Sequence, residues 1–314
     1  WREQGVLENH AMKLPHPKLA PSHGWMLAFC IALPWLNPFA SSPSTAVIPL
    51  LLSWMLAACA VLVVIEFPVA NEPGSKKTRI VSALILALLL ASLMWVPQEV
   101  DRALTAGLLA SLLCVGLMVA VGRRAAANEG VLRVVVLALL AAAVLSSVLG
   151  IAQYLGLARE WSPWVNQPIK GDAFANLRQR NQFASLTSLG LVALLGWIAS
   201  QSKTTHRSST IGWVCGAMLN VLAAGVACSM SRTGAMQWLM ISGLMAVWAW
   251  RVMPPKAEGY KVLMGFALAA PLLVVLWSVL MPWLALQTTG EWGASMILRL
   301  TGQSQDYAMC GGRR

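Results

Sequence analysis

Two short polar stretches hold the residues whose types and spacing could do chemistry. The first reads Asn176-Leu-Arg178-Gln179-Arg180-Asn181 and stands directly before an apolar run from Phe183 to Ala199. Guanidinium groups are costly beside hydrocarbon, so two of them at the mouth of such a run need a partner. Arginine suits phosphate, because its planar fork donates paired, charge-assisted hydrogen bonds. The second stretch reads Ser229-Met-Ser231-Arg232-Thr-Gly234 and also lies between apolar runs. Arg178, Arg180 and Arg232 together would neutralise a pyrophosphate if the fold gathers them. Asn176, Gln179, Asn181 and Ser231 would support them, while Gly234 keeps the second stretch tight and lets backbone N–H groups assist at a helix start. The competing reading makes the arginines interfacial anchors that snorkel to lipid head groups. On that reading Ser229 to Gly234 is an ordinary serine-capped turn.

The totals favour a membrane setting for either reading. Of 314 residues, 58% are hydrophobic and only 11% are charged, with a mean hydropathy of +0.66. A soluble domain carries about 25% charged residues. The net charge of +11 could suggest nucleic acid, but the basic residues form small clusters between apolar runs. That pattern sets membrane topology and excludes a nucleic-acid stripe. None of the six cysteines has C-x-x-C spacing, and His10, His16, His23 and His206 all lie in polar segments. No metal site and no cofactor is expected.

The elements that must position the arginines are membrane helices. Apolar runs cover about 24–40, 47–67, 80–96, 103–121, 131–155, 181–200, 210–228, 235–252 and 262–286, each near the roughly 20 residues a spanning helix needs. The expected fold is all-α, a polytopic transmembrane bundle of about nine spans over 1–286. The first run could be a signal-peptide core, with Ala40 to Ala46 as its small-residue cleavage region. An uncleaved span is preferred, because the next run begins almost at once. With the N-terminus inside, the outer loops before the tail hold only Arg102, Arg159, Lys170, Arg178, Arg180 and Arg232 of the 23 Lys and Arg residues. Positive charge therefore places the N-terminus in the cytoplasm and the 287–314 tail outside. The three arginines of interest all fall on the outer face, in loops 156–181 and 229–234. Trp161 and Trp164, in the longer of these loops, suit a membrane–water interface.

The order N-L-R-Q-R-N (176–181) and then S-M-S-R-T-G (229–234), in a polytopic chain, resembles the bacterial O-antigen ligase superfamily. Within it the likeness is greatest to protein-glycosylating O-oligosaccharyltransferases, and it covers roughly 130–310. The resemblance implies a donor glycan on undecaprenyl pyrophosphate, presented at the periplasmic face of the inner membrane. It implies transfer en bloc to an acceptor hydroxyl, either a protein Ser/Thr or a lipid A-core sugar. Carried over to this chain, Arg178 or Arg180 and Arg232 would stabilise the pyrophosphate leaving group. The family also has a large periplasmic loop containing a histidine, followed by further spans. Here Arg299-Leu-Thr-Gly302 resembles the opening of that loop, and the sequence given stops at Arg314. On this reading the chain holds the donor-binding half of an enzyme, and the catalytic base is not among its residues.

Three other readings remain. An O-antigen polymerase would use the same lipid pyrophosphate and share the basic outer loops. A coupled transporter would place acidic or basic groups within its spans, whereas Glu66, Arg133 and Arg251 lie near span ends. A non-catalytic membrane scaffold would leave the outward arginines unexplained.

Overall fold

The computed structural model describes residues 20–38, 47–65, 102–167, 173–177, 179–201, 209–255, 257–289 and 295–297. Among these residues all the regular secondary structure is helical. Eight α-helices follow in order: α1 Pro21–Leu36, α2 Val47–Val64, α3 Arg102–Ala127, α4 Glu129–Tyr154, α5 Arg180–Gln201, α6 Ser209–Ser229, α7 Arg232–Val252 and α8 Glu258–Thr289. A short 3-10 helix, Leu157–Trp161, follows α4. Four of these helices, α4, α5, α6 and α8, are long and apolar enough to cross a membrane. α7 falls short of that measure because Gln237 and three tryptophans interrupt its apolar residues. The expected third span, 80–96, lies outside the described residues, as do the loops 71–79 and 202–208.

Two compact units divide the chain: 1–27 with 58–134, and 28–57 with 135–314. In the first unit Val121, Ala125 and Val131 are buried. The passage from α3 to α4 takes a single residue, Asn128, whose side-chain Oδ1 accepts from the Val131 N–H at 3.1 Å. That is an N-cap, and it lets a new helix begin one residue after the last one ends.

The second unit contains the arginine stretches, and α5 is its centre. Within its apolar window 61% of α5 is buried, against 28% for α8. Phe183, Leu186, Leu191, Leu194 and Leu195 are all fully enclosed. α5 packs on α6, α7 and α8, and α8 packs in turn on α6 and α7. Several hydroxyls buried inside these helices bond to their own helix backbone, while those of Ser146 and Ser242 have no partner among the described residues. Thr187 and Ser188 both donate to the Ala184 carbonyl, at 2.7 and 2.9 Å. Ser147 and Ser278 likewise bond one turn back, to Ala143 and Val274.

Small residues let these helices approach, as membrane helix interfaces require. A Cβ on Gly225 of α6 would lie 2.5 Å from Ser147 Oγ of α4. A Cβ on Gly234 of α7 would lie 2.5 Å from the Ala184 Cβ of α5.

Candidate anion site at the starts of two helices

The link between α6 and α7 is two residues long, Met230 and Ser231. Ser229 Oγ donates to the Val226 carbonyl at 2.6 Å and accepts from the Ser231 N–H at 3.2 Å. Met230 takes the left-handed conformation, φ 50, which reverses the chain. Ser231 then caps α7, its Oγ accepting from the Gly234 N–H at 3.1 Å. The Gly234 N–H is taken by this cap. The glycine's lack of a side chain answers to the close approach of Ala184. Arg232 is therefore the first residue of α7, not part of a loop, and its side chain is exposed.

The same Ser231 hydroxyl donates to Asn181 Oδ1 at 2.9 Å. That bond ties the first turn of α5 to the start of α7 and brings the two sequence stretches together. Further contacts join the helices deeper in: Trp238 Nε1 donates to Thr187 Oγ1 at 3.3 Å, and Ser188 Oγ lies 3.0 Å from Gln237 Oε1. The pairing moves from 181/231 to 187/238, so α5 and α7 run in the same direction. Two positive helix ends therefore emerge at one place, Arg180 on one and Arg232 on the other, a combination suited to anions. Arg180 is half-buried, while Gln179 and Asn181 are exposed. Arg178 lies outside the described residues.

Asn176 has a different task. It is buried, its Oδ1 accepting from the Asn166 N–H and its Nδ2 donating to the Trp164 carbonyl, each at 3.1 Å. Both ends of its amide close the loop between α4 and α5. Beside it is a residue that sequence reasoning missed. Gln153, in the last turn of α4, is 7% exposed. Its Nε2 donates to the carbonyls of Asn166 and Ala175, each at 2.8 Å. Its Oε1 accepts from the N–H groups of Phe174 and Ala175, at 3.2 and 2.7 Å. Trp161 and Trp164 remain exposed on this loop.

The segment that runs from this loop into α5 has a known counterpart. Residues 173–198 match the family model of a protein glycosylation ligase. The match takes in Ala173 to Asn176, the first turn of α5 and most of that helix. It supports the resemblance to O-oligosaccharyltransferases over this segment, while Arg232 enters through geometry alone. No curated protein and no solved structure matches the chain.

Proposed function

We propose that this membrane protein is a glycosyltransferase of the O-oligosaccharyltransferase type. Such an enzyme takes a glycan from a polyprenyl pyrophosphate donor, for which this chain supplies the binding site, and passes it to an acceptor hydroxyl, a protein Ser/Thr in the first instance or a lipid A-core sugar in the second. The observation that carries this reading is the coincidence of two facts. The segment matching a protein glycosylation ligase opens α5, and the Asn181–Ser231 bond draws the Arg232 end of α7 against that opening.

The chemistry suits the arrangement. As the bond from the sugar to pyrophosphate breaks, negative charge grows on the leaving group. Arg180 and Arg232, with Arg178 from the preceding loop, stabilise that charge, and the two helix ends add fixed dipoles. Asn181 and Ser231 hold the two helix starts in register, Gln179 stands at the rim, and Asn176 and Gly234 set the backbone around them. The site faces the periplasm across the bacterial inner membrane. On this reading about nine spans over 1–286 place the N-terminus in the cytoplasm and 287–314 outside.

Binding of farnesyl pyrophosphate to the detergent-solubilised protein tests the reading. A charge-assisted contact contributes about 1.5–3 kcal/mol, so Arg178→Ala, Arg180→Ala and Arg232→Ala should each weaken binding by roughly one to two decades. Arg→Lys should restore only part, since an ammonium keeps the charge and loses the fork. Arg102→Ala is the control. Loss of binding in the control equal to that in the three variants would reduce the arginines to interfacial anchors.

A further inference from the structure

We infer that Gln153 is the positioning residue of this site, and the inference rests on the pyrophosphate reading above. A primary amide offers two N–H donors and two acceptor lone pairs. Gln153 uses all four, and every partner is a backbone group of the loop leading into α5. A side-chain amide left partly unpaired at this depth would be costly, whereas a fully paired one fixes its surroundings.

What it fixes is specific. Both the N–H and the carbonyl of Ala175 bond to Gln153, and Ala175 takes the left-handed conformation with φ 50. Ordinary L-residues enter that region at a cost of about 1–2 kcal/mol, so it persists only where the surroundings impose it. Immediately after it the chain turns, the Leu177 N–H donating to the Phe174 carbonyl at 3.0 Å. The Phe183 N–H then donates to the Gln179 carbonyl at 3.1 Å as α5 begins. The carbonyl of Asn166, on the other limb of the loop, is held by the same Nε2. One amide at the end of α4 thus sets where both limbs lie and the angle at which α5 starts. Arg180 and Asn181 follow from that start.

A residue acting in this way changes the fraction of molecules whose site is formed and leaves the contacts to the ligand unchanged. Apparent affinity falls in proportion to that fraction. Gln153→Leu should weaken farnesyl pyrophosphate binding by about tenfold if the formed fraction drops to roughly a tenth. Its salt dependence should stay that of the wild type, because the arginines remain, whereas Arg180→Ala should flatten it. Hydrogen exchange should quicken at Phe174, Ala175 and Phe183.

Gln153→Glu separates positioning from simple bulk. The neutral acid accepts at one oxygen and donates from the other, restoring three of the four bonds. The carboxylate would face the Asn166 and Ala175 carbonyls with no donor at all. Binding by Gln153→Glu should lie within about twofold of wild type at pH 5 and approach the Leu variant as pH rises. If Gln153→Leu fails to fold, the Glu variant decides alone, since its two protonation states share one polypeptide. Binding by Gln153→Leu equal to wild type overturns the inference. So does binding by Gln153→Glu at pH 5 as weak as that of the Leu variant, which would leave position 153 a matter of packing. No binding by the wild type at all removes the pyrophosphate reading and the inference with it.

Discussion

Ser231 does two jobs with one oxygen, and the two can be told apart. As a cap it satisfies the Gly234 N–H, and as a donor it reaches Asn181. Losing an N-cap costs about 1 kcal/mol, and an interhelical hydrogen bond in a membrane averages about 0.6 kcal/mol. Ser231→Ala should therefore lower unfolding stability by about 1.5 kcal/mol, and Asn181→Ala by about a third of that. Titration with a denaturing detergent, followed by helical signal, measures both. The double variant should cost no more than Ser231→Ala, because the second substitution removes nothing that is still present. An additive result would mean that Asn181 has a further partner in the unliganded protein.

Among the elements, α6 shows how glycine works in two opposite senses. A Cβ at Gly225 meets Ser147 Oγ at 2.5 Å, Ser147 Cβ at 2.7 Å and the Ser147 Cα at 3.2 Å. The last of these is backbone, so α4 and α6 must part. Overpacking of this kind costs about 1–3 kcal/mol, of which helix propensity returns up to about 1 kcal/mol. Gly225→Ala should be destabilising by about 1 kcal/mol in net terms. Gly216 stands on the same helix with nothing within 4 Å of an added Cβ, so Gly216→Ala should stabilise by up to about 1 kcal/mol. Unfolding midpoints of the two variants should move in opposite directions. Equal shifts would show that the α4–α6 approach is looser than this packing.

How much of this was open to reading in the sequence depends on where the signal lay. Apolar runs gave the spans of the second unit closely: about 181–200 became Arg180–Gln201, and about 210–228 became Ser209–Ser229. Ends went astray where a helix continues through polar residues, as α8 does to Glu258 and Thr289, since hydropathy marks only the part that wants hydrocarbon. S-R-T-G reads as a turn, yet Ser231 caps and Arg232 already belongs to the helix. Gln153 escaped notice because its partners are backbone groups 13, 21 and 22 residues on. Backbone groups leave no mark in side-chain spacing. Asn176 was legible as a polar residue beside arginines, but not as one turned inward.

For the whole molecule, the expectation open to test is which way the chain faces. Single cysteines in a cysteine-free background, labelled in intact spheroplasts by an impermeant maleimide, report this. Trp161→Cys and Trp164→Cys, at exposed positions of the outer loop, should label from outside, and Ser202→Cys should not. The reverse pattern would put the arginine-bearing helix ends in the cytoplasm and remove a periplasmic donor site.

The length of α8 has a consequence beyond the site. It has 32 residues and so runs about 48 Å, of which the apolar run 262–286 makes about 38 Å, while hydrocarbon is about 30 Å thick. Its flank of Leu268, Leu272, Val275, Val279 and Trp283 is exposed to whatever surrounds the protein. A helix with this much apolar length must tilt, project, or draw the surrounding lipid thicker. Each α8 neighbour in the second unit inherits that compromise, since α6 and α7 both pack against it. The protein should therefore respond to bilayer thickness. Reconstituted in a series of phosphatidylcholines of increasing acyl length, its unfolding temperature should climb as the hydrocarbon approaches the apolar length of α8. A flat response across the series would mean that α8 meets its surroundings by projecting its ends into water.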